Sequence, residues 1–501
     1  MSPRPWLPDS LAALLTRLAG TTPMWLVGGA VRDSLLERPT SDFDFVVDGN
    51  ALGLARLVAN ALRADYYTLD IERGIGRVIH ATPDGTQTLD FSRLRLPAIA
   101  ADLMSRDYTV NAMGVALDDP GQLIDPTRGL QDLKDRRLRA CGPDAIADDP
   151  IRALRGVRLS TDLGLRIDPD TLKQLTEAPN LIASVSPERL RDELFVVLRQ
   201  PRPGRALRVL DHAGLLGPVL PETIPLKGLH LGPSDAGDRW AHALATVDHL
   251  AELFLVLASQ HDEEAAAEVT LGLVILRLGR FRPGISEHLH EELTPGRNAR
   301  QLLLLAALYH DAGTAVAPSS DEPGGSPPSD PQEMGARLVA ERGRALRLSS
   351  AEIERLRLTV LHSGRPGSLD RAGGVSPREA YRFFRDAGEA GLEVVLLSLA
   401  ELLASHTPPI ATPIWESRVD IARQLLEARL EWPPERLSPP PLLRGDRLAK
   451  ALAISPGPDV GILLEQVREA QAAGDVRDAD EALALARRLW AERPTGDEGT
   501  P

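Results

Sequence analysis

The stretch Ser41-Asp42-Phe43-Asp44-Phe45-Val46-Val47, read with Gly28-Gly29-Ala30-Val31-Arg32-Asp33 just before it, decides the fold. Side chains alternate across a strand, so Asp42 and Asp44 share one face while Phe43, Phe45 and Val47 point into a core. Two carboxylates then converge on one spot. Such a spot suits Mg²⁺, a hard ion that prefers carboxylate and phosphate oxygens, and two ions there could activate a hydroxyl and stabilise a leaving pyrophosphate. The diglycine supplies a strand-to-helix turn where the backbone can approach an anion, with N–H groups and Arg32 placed to cradle a triphosphate.

Working outward, the strand-like run Met24–Val27 leads into the glycine turn, a helical pattern covers Val31–Leu36, and a second strand covers Phe43–Val47. Strand patterns continue through Arg77–His80, Gln87–Phe91 and Val110–Ala116, so residues 1–140 are expected to form one α/β unit. From Asp144 onward helical periodicity takes over: Ile151, Leu154 and Val157 recur every three residues, and similar stripes run through Leu190–Leu198 and Leu244–Leu257. Helical segments are expected over 141–205, 206–432 and 433–501, the last boundary marked by the proline-rich stretch Pro433–Pro441. Ala315–Asp330, poor in apolar residues and rich in Ser, Gly and Pro, is expected to be a disordered loop.

A chain of 501 residues with 43% hydrophobic and 26% charged residues is that of a multi-domain globular protein. Its net charge of −14 argues against indiscriminate nucleic-acid binding, which needs a positive surface. Locally the balance reverses, with eight Lys/Arg against five Asp between Arg128 and Arg158. The single cysteine, Cys141, excludes an internal disulfide and a Cys-rich zinc site, as expected of a reducing cytoplasm. The N-terminal segment lacks the apolar core of a signal peptide, and the longest apolar run, Leu302–Tyr309, is far short of the ~20 residues of a membrane helix.

Asp148-Asp149-Pro150-Ile151-Arg152-Ala153-Leu154-Arg155-Gly156-Val157-Arg158 places Pro150 at a helix start and Asp149 beside Arg152 on the helix surface. A carboxylate beside a guanidinium offers an acceptor next to a donor. That edge complements cytosine, and adenine through its amino group and N1, but not uracil or guanine. Steps of three residues drift by about 60° on a helix with 3.6 residues per turn, so Arg158 faces away from Asp149.

The glycine turn followed by Asp-x-Asp resembles the class II tRNA nucleotidyltransferase and bacterial poly(A) polymerase family, in which both elements occur. The resemblance implies a polymerase-β-like nucleotidyltransferase head of α+β class, followed by all-helical neck, body and tail. By that likeness Gly28, Gly29 and Arg32 contact the incoming nucleotide and Asp42 and Asp44 ligate magnesium, with Asp90 a third carboxylate on an adjacent strand. Ser105-Arg106-Asp107-Tyr108-Thr109-Val110-Asn111-Ala112 resembles the family's Arg-Arg-Asp-Phe-Thr-x-Asn-Ala element, with Ser105 in place of the first Arg. Arg106 and Asp107 inherit its ribose and phosphate contacts. The same likeness places Asp149, Arg152, Arg155 and Arg158 at the nucleotide, the last two through phosphate or by buttressing. Ile124-Asp125-Pro126, Gly129–Leu133 and Ser186-Pro187-Glu188-Arg189-Leu190 match further family segments and are expected to be scaffold.

His242, His310-Asp311 and His362 resemble an HD-type metal phosphohydrolase in a damaged form, since Thr314, Asp330-Pro331 and Ser363 replace expected residues. A degenerate, structural HD-like body is therefore expected. The last domain resembles the family's RNA-facing tail, although its helix is acidic through Glu465, Glu469, Asp475 and Asp480. Implied partners are CTP, ATP and the 3′ end of tRNA; the implied cofactor is Mg²⁺ and the implied product a CCA end. One departure favours a CC-only product: about a dozen residues separate Arg93 from Arg106, where many CCA-adding relatives carry a longer loop. Poly(A) synthesis, a catalytically silent RNA-binding protein and a phosphohydrolase are the rival readings.

Overall fold

A computed structural model describes residues 6–83, 85–230, 237–258, 269–316, 330–406 and 412–493. The chain divides into two compact units, Met1–Leu194 with Val209–Val219, and Phe195–Arg208 with Leu220–Pro501.

The first unit is α+β. Its elements run α1 (Asp9–Ala19), β1 (Met24–Val27), α2 (Gly29–Leu35), β2 (Asp42–Val47), α3 (Ala51–Leu62), β3 (Asp65–Asp70), β4 (Ile75–Thr82), β5 (Gly85–Arg93), α4 (Ile99–Met104), β6 (Gly114–Ala116) and β7 (Leu123–Ile124). The strands form one seven-stranded mixed sheet, in the order β3-β4-β5-β2-β1-β6-β7. Alternation along β2 sends Phe43, Phe45 and Val47 into a core shared with Val78, Leu89, Phe91 and the buried side of α3. Phe45 and Phe91 stack there with ring centroids 5.0 Å apart. On the opposite face Val27, Val46 and Leu103 form a smaller apolar cluster. Beside it lie the polar residues of β2 and β5.

The predicted strand Val110–Ala116 is shorter than expected. A 3-10 turn takes Thr109–Asn111, and β6 begins only at Gly114. Asp107 explains the difference, because its carboxylate accepts from the backbone N–H of Tyr108 and the side chain of Asn111, curling the chain before it can extend.

After α5 (Gly129–Lys134) and β8 (Arg137–Leu138), α6 (Ala145–Asp148) precedes α7 (Ile151–Leu163), whose Ile151, Leu154 and Val157 are buried as their periodicity predicts. β9 (Arg166–Ile167) pairs with β8, and α8 (Pro169–Glu177), α9 (Pro179–Ile182) and α10 (Pro187–Arg199) follow.

The second unit is almost wholly helical from Arg239–Val256 to Ala479–Ala491; among the described residues its strands are one short hairpin, Glu292–Thr294 with Arg297–Asn298. Of the loop expected over 315–330, residues 317–329 lie outside the described residues, and Ala312–Ala315 forms a 3-10 turn. The acidic helix Pro458–Ala473 spends its charge internally: Glu465 accepts from Tyr381 at 2.9 Å and Arg385 at 2.8 Å, while Glu469 pairs with Arg382 and Arg385. No described helix is long and apolar enough to cross a membrane.

Candidate active site

Strand register assembles the acidic centre. Asp44 on β2 lies beside Asp90 on the parallel neighbour β5, with Asp42 two residues earlier on the same face. Asp90 is already neutralised, since Arg77 from β4 grips both its oxygens at 2.8 and 2.7 Å. Asp42 and Asp44 enter no ion pair among the described residues. Desolvation pushes the Asp44 carboxyl above its ordinary range; Asp90 and Asp42 push the same way, and Arg106 opposes them. Two hard carboxylates whose charge Arg106 only partly offsets fit a divalent cation, which would relieve that crowding. Asp90, clamped by Arg77, does not close with them into a cluster of three within 4.8 Å.

Gly28 brings the backbone against this centre. Its φ of 77° is costly for other residues, and a β-carbon there would stand 3.2 Å from both Oδ2 of Asp44 and Nη1 of Arg106. Gly29 opens α2. Arg32, expected to reach phosphates, instead turns inward: it grips both oxygens of Asp33 at 2.9 Å and donates to Asn111 at 2.6 Å. Arg106 faces Asp44, its Nη2 lying 3.7 Å from the buried Asp102, and its buried Nε has no hydrogen-bond partner among the described residues.

A chain of polar contacts runs from the glycine turn to the helix after Asp149. Asn111 links Arg32 to Asp107, and Asp107 receives Arg155 at 3.2 Å. Burial alone would raise the Asp107 carboxyl, yet the Arg155 charge, the Tyr108 N–H and Asn111 together hold it below the ordinary range. Glu193 of α10 in turn takes Arg158 and approaches Arg155. Asp107, Arg155, Glu193 and Arg158 therefore form one run of ion pairs.

Asp149 is extended and precedes the N-cap Pro150, so it stands before α7, not on its surface as the sequence suggests. The expected pairing survives loosely, with Nε of Arg152 3.9 Å from Asp149. Arg152 is pinned by the carbonyl oxygens of Ala145, Ser105 and Arg106 at 3.0, 3.2 and 3.4 Å. Three partners here escaped the sequence reading. Arg189, in the segment read as scaffold, donates to Asp149 at 2.7 Å; Arg77 clamps Asp90; Tyr108 donates to the carbonyl of Arg152 at 2.6 Å. Each is a contact across many residues, for which spacing gives no signal. A cavity of about 260 Å³ lies beside Asp149 and Arg152, lined by six arginines (Arg73, Arg93, Arg95, Arg106, Arg152 and Arg155) and three carboxylates (Asp102, Asp107 and Asp149). Its guanidinium groups outnumber its carboxylates, a balance that suits a polyanion.

In the helical unit, His242, His310 and Asp311 bring ligand atoms within 4.8 Å of one another. Arg239 already occupies Asp311 at 3.1 Å. His362 lies outside this group, beside Arg365 and Asp386.

The Poly A polymerase head domain family matches residues 24–139, and the probable RNA- and SrmB-binding site of polymerase A matches 164–226. The A-adding tRNA nucleotidyltransferase of Deinococcus radiodurans is 32% identical, over 94% of this chain and 96% of its own length. The CC-adding tRNA nucleotidyltransferase of Geobacter sulfurreducens is 31% identical, over 94% of this chain and 93% of its own. A solved CCA-adding enzyme in its apo form I superposes with a TM-score of 0.60 at 20% identity, covering 96% of this chain and 94% of that one.

Proposed function

Because this chain belongs to the tRNA nucleotidyltransferases, we propose that it transfers CMP and AMP from CTP and ATP to the 3′ end of tRNA, with Asp42 and Asp44 as its catalytic carboxylates. One observation carries the reading: two unpaired carboxylates share an open sheet face beside a positive-φ glycine and Arg106. Asp42 and Asp44 would hold divalent ions, Mg²⁺ by oxygen preference, which when bound make the 3′-hydroxyl nucleophilic and neutralise departing pyrophosphate.

The protein's own groups do the rest. The Gly28–Gly29 backbone and Arg106 receive the triphosphate beside Asp44. Asp149 accepts the exocyclic amino group of cytosine or adenine while Arg152 donates to the adjacent ring nitrogen; carbonyl contacts keep the guanidinium from turning toward a wrong base. Uracil and guanine present the opposite pattern, so selection needs no template. Arg155 and Arg158 support this edge through Asp107 and Glu193.

A second reading limits the product to CC. It is favoured by the short connection Leu94–Ala98 between β5 and α4. The experiment is incubation of tRNA lacking its CCA end with CTP, ATP or both, reading product length. Two added residues with CTP and three with both are expected, a stop at two with both selects the CC reading, and no incorporation either on this tRNA or on tRNA already ending in CC refutes the function. Arg152→Ala is expected to relax base choice; unchanged selectivity would defeat the base-reading pair.

A further inference from the structure

Strand register extends the acidic row further than the chemistry of transfer uses. Asp44 lies beside Asp90, Asp90 opposite Arg77, and Arg77 opposite Tyr67 on the edge strand β3. Directly opposed residues point to the same face, and strands lie ~4.8 Å apart, so this row runs about 14 Å from Asp44 to Tyr67. Tyr66, next in sequence, packs against the core on the other face.

Tyr67 is 51% exposed, and Leu69 and Ile71 after it are 49% and 78% exposed. Isolated exposed apolar residues are ordinary. Here an aromatic ring stands in register with the carboxylates, and its neighbour Arg77 is held flat by two bonds to Asp90. Ile75, two residues from Arg77 on the same face of β4, also lines the arginine-rich cavity with Arg73, Arg93 and Arg95. Arg73 and Arg95 keep much of their side chains in solvent although they meet Asp70 and Asp102 at 3.7 and 3.3 Å. An apolar ring, a fixed guanidinium and solvent-facing arginines are the components of a single-strand nucleic-acid groove, in which bases stack on aromatic faces and phosphates meet cations.

We propose that Tyr67 is a platform on which the single-stranded 3′ end of the RNA primer stacks while its terminal hydroxyl reaches Asp44. The occupant is RNA, because the surface continues the carboxylate row and the adjoining cavity offers arginines to phosphate. Stacking tolerates any base, as a site that receives a growing end requires. The assignment rests on Asp42 and Asp44 being the site of transfer.

The test compares the full-length protein with Tyr67→Ala and Tyr67→Trp, measuring KM for tRNA lacking its CCA end, KM for CTP, and kcat. Tyr67→Ala is expected to raise the RNA KM roughly tenfold and leave the CTP KM unchanged, with Tyr67→Trp restoring the RNA KM. An unchanged RNA KM in Tyr67→Ala overturns the platform, as does an equal rise in both KM values. So does a concentration-dependent dimer of the native protein that Tyr67→Ala dissolves without affecting RNA, which would give the patch to a second copy. Fluorescence anisotropy with labelled RNA in an Asp42→Ala background reads binding without turnover. The platform can thus fail while incorporation, and its loss in Asp42→Ala, stand; incorporation that survives Asp42→Ala overturns the catalytic assignment and the platform with it.

Discussion

The hydroxyl of Tyr108 fills the space that a side chain on Gly156 would need: a β-carbon there would come within 2.0 Å of the oxygen. That oxygen donates its proton to the carbonyl of Arg152, tying the head's core to the helix that carries the proposed base reader. Gly156→Ala must therefore displace a buried tyrosine. Overpacking of this kind costs about 1–3 kcal/mol, and the first residue to lose its seat is Arg152. A lower melting temperature together with weaker discrimination of CTP from UTP is expected. A variant with native stability and native base choice would show that this contact positions nothing.

Asp44→Asn separates catalysis from folding. Desolvation and the charges of Asp90 and Asp42 disfavour the Asp44 carboxylate in the native state, so a neutral isostere removes a native-state penalty. Incorporation should be lost while the melting temperature stays level or rises. A fall in stability with activity retained would mean that Asp44 is a structural residue.

How much of this centre was legible beforehand differs by element. The two-residue period of β2 placed Asp42, Asp44 and their apolar alternates correctly, because one strand with one buried face fixes all its side chains at once. The helix behind Pro150 was legible for the same reason, in its buried Ile151, Leu154 and Val157. Long polar side chains were not. Arg32 was expected to face an anion and bonds Asp33 and Asn111 instead, and Asp149 is shared with Arg189, forty positions along the chain. Such side chains choose partners only after the backbone has brought distant segments together, and no local pattern encodes that choice.

Glu193 supports two arginines at once. It is buried on α10, and Glu193→Ala would leave Arg158 and the inner side of Arg155 without their carboxylate. Both arginines keep part of their side chains in solvent, 21% for Arg158 and 38% for Arg155, so the loss is about 1–2 kcal/mol, below that of a fully buried pair, and Arg155 keeps only Asp107 of its two carboxylates. A destabilised protein with a raised KM for CTP is expected; Glu193→Gln, which keeps one acceptor oxygen, should lose less of both. Equal behaviour of the two variants would point to packing in place of the ion pair.

The helical unit should weaken in acid because of His242. Burial, reinforced by His310, lowers its pKa to about 4 from an ordinary 6.5, so the folded chain leaves the ring neutral where the unfolded chain would protonate it. Stability is then complete above pH 6.5 and declines as pH falls from 6.5 toward 4, by up to about 3 kcal/mol at 1.36 kcal/mol per unit. Urea melts followed across that range should show the decline, and His242→Gln, which cannot take up a proton, should flatten it. Parallel profiles for the two proteins would assign the acid sensitivity elsewhere. The same melts at pH 7 test the metal question: with Arg239 already bound to Asp311, EDTA is expected to leave the midpoint unmoved. A chelator-sensitive midpoint, lost in His242→Gln, would instead show that His242, His310 and Asp311 still hold an ion.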